Sequence, residues 1–371
     1  MAASDHQVLA LCDEVWKWRL KESPELSTFC GFYLNEDSWD DISSDAYTRR
    51  EKCVRKFLEQ ALALNVSACS PDKALSHRLL VDDMKLYLQG CAFQCHLMPI
   101  NYLEGAHVDC CRTLAFMKYD TEVDFTKYIQ RLKALPSKPF RKDYPDIPTD
   151  KMNEFQQDAK DAILSGIFPA LANLKDFIQQ EYIKAVRPQE SICCLKNGQA
   201  WYLQCLDYHL NCKMTPQQIH DIGVAEVARI QDKIFHLSGI EGLGQTSPEI
   251  LNSLKRRQRG FFKSKEEVLT YVKDLCYNKI RPKLARLFKA LPDVSLKIEE
   301  VPAEMKDSPA GYYFNGTADG SRQGCFYVNS HNFEERLPYS FTALCLHEGE
   351  PGHHLQASLD TCLIMLPMCS V

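Results

Sequence analysis

Up to about residue 290 the apolar residues recur every three or four positions, and beyond Pro292 the period drops to two. That change of period confines the chain to a mainly α architecture with a small β-sheet late in the sequence. Side chains repeat every 3.6 residues along a helix and alternate along a strand, so one pattern cannot serve for the other. Val8, Leu9, Leu11, Cys12, Val15, Trp16 and Leu20 make one helical stripe, and Val54, Phe57, Leu58, Ala61, Leu62 and Leu64 make another. Helix-start chemistry agrees. Thr215-Pro216 places a cap residue before a proline at the first helical position, Ser247-Pro248-Glu249 repeats the device, and Ser264 with Glu267 fits a capping box. The stretch from Pro136 to Pro148 holds four prolines and reads as an elbow between helical groups. Past Pro292, Val294, Leu296 and Ile298 alternate with polar residues. Gly311–Phe314 and Cys325–Asn329 read as two strands flanking a polar loop. After Pro338 an apolar run from Ser340 to Leu346 begins a buried helix. The expected organisation is a helical region over 1–291 and a region over 292–371 that carries the sheet and this helix, the two forming one continuous domain.

Composition narrows the function classes. With 371 residues, 45% hydrophobic and 25% charged, the chain is an ordinary globular one that can bury a sizeable core. A net charge of −5 gives no electrostatic reason to bind nucleic acid. No apolar run is long enough to cross a membrane, so no membrane partner is expected. The N-terminus, MAASDHQVLALCDEVWKW, lacks the basic start and long apolar stretch of a secretory signal. A cytoplasmic location follows as the expectation, with the 17 cysteines reduced. No CxxC pair occurs, and the adjacent Cys110-Cys111 and Cys193-Cys194 are poorly placed to share a metal.

The chemistry concentrates at His347-Glu348-Gly349-Glu350-Pro351-Gly352-His353-His354. Imidazole and carboxylate are zinc donors, and a catalytic zinc site takes three protein ligands and leaves a position open. In the common helical HExxH motif two histidines one turn apart share a face. Here the residue four after His347 is proline. On a regular helix six residues advance by about 600°, which turns His353 roughly 120° away from His347. Pro351 has no N–H and clashes with the carbonyl four residues back, that of His347, and Gly352 tolerates unusual backbone angles. A two-residue bulge at Pro351-Gly352 would bring His347 and His353 together as metal ligands. The competing geometry keeps the helix straight and uses His354, nearly on the same face but about 10.5 Å along the axis. Glu348 stands where a general base would take a proton from metal-activated water. Glu350 has no such place and reads as an outer-shell or solvated group. A polar turn with hydrogen-bonded histidines is the plain alternative.

These residues, with Gly311-Tyr312-Tyr313, Cys325–Asn329 and, further back, Asn197–Tyr202, Met214–Gly223 and Glu226–Ile230, give a chain that resembles the DUF885 family, a zincin-like group read as metallopeptidases. The resemblance implies a largely helical fold with a small sheet beside the metal helix, His347 and His353 as zinc ligands, and Glu348 as catalytic base. It also implies a third ligand, a glutamate on a helix well downstream. Here the only acidic residue after the motif is Asp360, an alternative ligand beside His354, with His331, Glu334 and Glu335 as upstream candidates. The chain is therefore expected to be a truncated isoform or incomplete gene model, a reading the apolar run Leu363–Cys369 reinforces. The strand holding Tyr327 is a candidate edge for an extended peptide, with Tyr327 and Asn329 as substrate-binding residues. The leading expectation is a zinc-dependent, metallopeptidase-like hydrolase acting on a peptide or amide-containing small substrate. The alternative is a catalytically silent helical protein with a binding role only.

Overall fold

The computed structural model describes residues 3–97, 105–134, 148–187, 191–210, 212–258, 261–289, 291–317, 320 and 322–362. The proline-rich stretch, apart from Pro148, and the run Leu363–Cys369 lie outside the described residues, as do the side chains of Cys110 and Cys111. The chain divides into two compact units, one within Met1–Cys212 and one within Lys213–Ile364.

The first unit is helical. Helices α1 (Ala3–Glu22), α2 (Ser44–Ala63) and α3 (Pro71–Cys91) share a core of Val8, Leu11, Cys12 and Val15 against Val54, Phe57 and Ala61 and against Leu80, Val81 and Met84. These include most of the positions that the helical spacing picks out. Leu9 and Trp16 are only partly buried, and Leu62, one residue past the buried face, is exposed. Helix α2 starts where Ser43 Oγ accepts the Ala46 N–H at 3.2 Å, satisfying one of the N–H groups that a helix leaves without a partner.

The second unit carries the motif. Helix α4 (Pro216–Glu241) opens with the expected device: Gln218 N–H donates to Thr215 Oγ1 at 3.2 Å, and Thr215 N–H to Gln218 Oε1 at 2.8 Å. Helix α5 (Ser247–Gln258) differs from expectation. Its cap is Thr246, not Ser247: Thr246 Oγ1 accepts the Glu249 N–H at 3.4 Å, and the Glu249 carboxylate accepts the N–H groups of Gln245 and Thr246 in return. Helix α6 (Lys265–Lys273) is capped by Ser264 and runs into a π-helical segment, Asp274–Ile280. Glu267 spends its carboxylate on Lys263 N–H, so only half of the capping box forms. The change of period at Pro292 thus falls inside this unit, where α4–α6 and the sheet occur together.

The sheet has three strands in the order β1-β3-β2: β1 (Lys297–Glu300), β2 (Gly311–Phe314) and β3 (Cys325–Val328). Strands β2 and β3 are antiparallel with Tyr313 opposite Phe326, and β1 lies parallel to β3 with Ile298 opposite Phe326. The strand expected around Val294–Ile298 begins late, so that Val294 and Leu296 precede the ladder. Strand β3 is central and paired on both sides. It therefore has no free row of N–H and C=O groups, which corrects the expectation that the Tyr327 strand is an edge for peptide addition. Helix α7 (Pro338–Leu344) lies against this sheet. Phe341 and Cys345, four residues apart and so on one face, pack with Phe262, Val268, Val272, Ile298, Phe326 and Val328. Burying one such phenylalanine is worth about 1.5–3 kcal/mol, which fixes the helix that leads into the motif.

Candidate metal centre

After Leu344 the helix widens into a π-helical turn, Cys345–Gly349, and then stops. Glu350 is extended at φ −121° and ψ 138°, the Glu350–Pro351 peptide is cis, and helix α8 (His353–Cys362) begins at the second histidine. The expected two-residue bulge within one helix is thus a full break between two helices. The reason is local: a residue before proline is driven out of the α region, and Pro351 has no N–H to continue the ladder. Gly352 passes so close to His347 that a Cβ there would overlap the His347 carbonyl.

The break brings His347 and His353 together. Their ring centroids are 4.7 Å apart with planes at 85°. One donor atom each from His347, Glu348 and His353 lie within 4.8 Å of one another, with Glu348 Oε2 at 4.0 Å from His353 Nε2. The two imidazoles are exposed and the carboxylate is buried. Burial raises the Glu348 pKa above its ordinary value, while His353, His347 and the backbone N–H of Tyr313 pull it back down. Two imidazoles and a carboxylate, open to solvent on one side, suit zinc or a similar divalent ion.

His354 faces elsewhere. Its Nε2 donates to the Val294 carbonyl at 3.2 Å and its Nδ1 accepts from the Tyr313 hydroxyl at 3.0 Å, with only 1% of the residue exposed. Gly324 makes room for this pair, since a Cβ there would meet the Tyr313 hydroxyl. Burial holds the His354 imidazole below the usual histidine range. The unfolded chain therefore takes up this proton first, so the stability is present above about pH 6.5 and is lost on acidification. In metal-free protein, melting followed from pH 7 to pH 5 should show stability falling by up to about 1.4 kcal/mol per pH unit from this group, less steeply in His354→Gln.

The other candidates stand apart from the histidine pair. His331 bonds Lys265 Nζ at 3.2 Å and the Val301 carbonyl at 3.1 Å, and neither Glu334 nor Glu335 joins the group among the described residues. The Asp360 side chain lies outside the described residues. Tyr327 stacks on Tyr312 at 5.2 Å across the sheet. Asn329, fully buried, donates to the carbonyls of Lys306 and Ser308 and accepts from His331 N–H, which leaves nothing for a substrate and corrects its expected role. Glu350 is not solvated: it is 7% exposed and paired with Arg281 Nη1. Spacing alone missed Arg281 and the role of Tyr313. For Tyr313 the one signal was its place in a short strand of the quoted Gly311-Tyr312-Tyr313 segment.

The sequence profile of the family described as "Bacterial protein of unknown function (DUF885)" matches residues 24–139 and 137–368. The chain belongs to the DUF885 family. Two solved structures share the fold of this DUF885 chain. A "putative lipoprotein" from Colwellia psychrerythraea superposes with a TM-score of 0.86 at 18% identity, over 99% of this chain and 74% of that one. A "putative lipoprotein of unknown function" from Shewanella oneidensis gives 0.54 at 13% identity, over 97% and 72%. At these identities the likeness speaks for fold alone. No curated protein matches the chain. No described helix of this DUF885 protein is long and apolar enough to cross a membrane.

Proposed function

We propose that this DUF885 chain is a zinc-dependent, zincin-like hydrolase of peptide or related amide bonds. The observation that supports it most is the convergence of His347, Glu348 and His353 across a helix break. His347 and His353 would hold the ion. When bound, zinc supplies a Lewis acid that polarises a carbonyl and makes water more acidic.

The chain's own groups do the rest. Glu348 is buried beside the two imidazoles, and its raised pKa brings the carboxylate nearer to the pH at which it must both accept and return a proton. It takes the proton of the attacking water and delivers it to the leaving nitrogen, so that the C–N bond breaks to a free amine and a carboxylic acid. The Tyr313 N–H holds the carboxylate beside the two imidazoles between these two transfers. The exposed side of both imidazoles leaves an approach for an extended substrate.

The experiment is Glu348→Gln measured against wild type for zinc content and for hydrolysis of a peptide library. The variant should keep its zinc and lose about 10²–10⁴ in turnover. Equal turnover would remove Glu348 from the chemistry, and a zinc-loaded wild type that cleaves no amide would contradict the proposal.

A further inference from the structure

Arg281 is 69 residues from Glu350 in sequence, yet its guanidinium grips the helix break from outside. Nη1 bonds the Glu350 carboxylate, and Nη2 donates to the Pro292 carbonyl at 3.0 Å. Glu350 is the single extended residue between the π-helical turn that carries His347 and the proline that precedes His353. Its backbone angles therefore set the direction in which α8 departs. Glu350 is buried and Arg281 half-buried, so desolvation offsets much of their attraction and the pair adds little net stability; the best-attested use of such a pair is to select one geometry over others.

We propose that Arg281 is a positioning residue for the metal centre: by holding Glu350 it fixes the turn on which the convergence of His347 and His353 depends. This rests on the hydrolase reading, since it assigns Arg281 a part in forming that same site. The surroundings give the alternative geometry somewhere to go. A cavity of about 330 Å³ is lined by Arg281 and Glu350 together with Cys276, Tyr277, Asp293 and Val294. Without the guanidinium, the Glu350 carboxylate can swing into this cavity and hydrate rather than stay buried and unpaired. The turn then relaxes and the imidazoles separate, while the core built on Phe341 and Cys345 stays intact. After the break, His354 ties the start of α8 to Tyr313 and to the Val294 carbonyl, while Arg281 holds Glu350 ahead of it.

The test is zinc affinity, read by competition with a chromophoric chelator, for wild type, Arg281→Ala, Arg281→Lys and the control Asp293→Asn. Outer-shell partners of metal ligands typically cost about 10–100-fold in affinity when removed, and that loss is expected for Arg281→Ala. Arg281→Lys keeps the charge but not both bonds, so it should recover part of the loss. Asp293→Asn, on the cavity wall, should bind zinc as wild type does. The visible spectrum of the cobalt-loaded protein should shift in Arg281→Ala and return towards wild type in Arg281→Lys, a change that general destabilisation would not produce. If circular dichroism shows Arg281→Ala unfolded, the lysine variant carries the test alone, with an intermediate loss expected. Wild-type affinity and spectrum in a folded Arg281 variant would overturn the positioning role and leave the hydrolase reading standing. A wild-type protein that binds no zinc would overturn both.

Discussion

Alanine at His347 or at His353 should lower zinc affinity by more than the roughly hundredfold that outer-shell changes cost, and take metal-dependent turnover to background. Each histidine presents an exposed ring, and the two rings sit at 4.7 Å. Among the described residues, Glu348 is the one further donor grouped with them. Removing either imidazole therefore leaves a single histidine ligand, too few to hold zinc against water. His354→Ala is the informative contrast. That ring is occupied by Val294 and Tyr313, so its loss should lower stability, as an unsatisfied carbonyl and hydroxyl would, while metal stoichiometry survives. Metal content after chelation and reloading, measured beside thermal melting, separates the two outcomes. Loss of zinc in His354→Ala with retention in His353→Ala would reverse the assignment of the second ligand.

Gly352→Ala should be the most damaging single methyl group in the motif. The added Cβ would overlap the His347 carbonyl and lie 2.5 Å from the Leu346 carbonyl oxygen. These are backbone atoms, which cannot swing aside as the end of a flexible side chain can. A cost of about 3–5 kcal/mol is expected, at the upper end for one substitution, together with loss of zinc binding because the break must reopen. Gly349→Ala, three residues earlier, meets Leu296 Cδ2 at 3.4 Å and Cys276 Sγ at 3.6 Å, which is ordinary packing. It should cost about 1 kcal/mol or less. Chemical denaturation of both variants checks the contrast, and equal stability of the two would show that close approach at residue 352 is not what the fold requires.

What the sequence made legible, and what it did not, follows from range. The helical stripes of α1 and α2, the Thr215 cap and the two strands around the polar loop are all written within a few residues of themselves, and all appear. The proline at 351 signalled a distortion, but its form depended on the restriction that proline places on Glu350, and a bulge and a break look alike in spacing. The ring orientation of His353 and His354 was open for the same reason. It is decided by Tyr313, 41 residues away from His354, and by Val294, 60 residues away. Asn329 looked available because asparagine beside a strand often is. Only the loop carbonyls of Lys306 and Ser308 reveal that it is used up. Arg281 gave no signal at all, since an arginine on a helix surface is the commonest of solvated groups until a buried carboxylate is placed against it.

His347 and His353 are expected to bind one metal ion between them. X-ray absorption at the zinc edge of the loaded wild-type protein tests it most directly. One zinc per chain is expected, with imidazole scattering from two histidines and nitrogen or oxygen neighbours at about 2.0–2.1 Å. Zinc held without histidine scattering, or no zinc retained by well-folded protein, would contradict it.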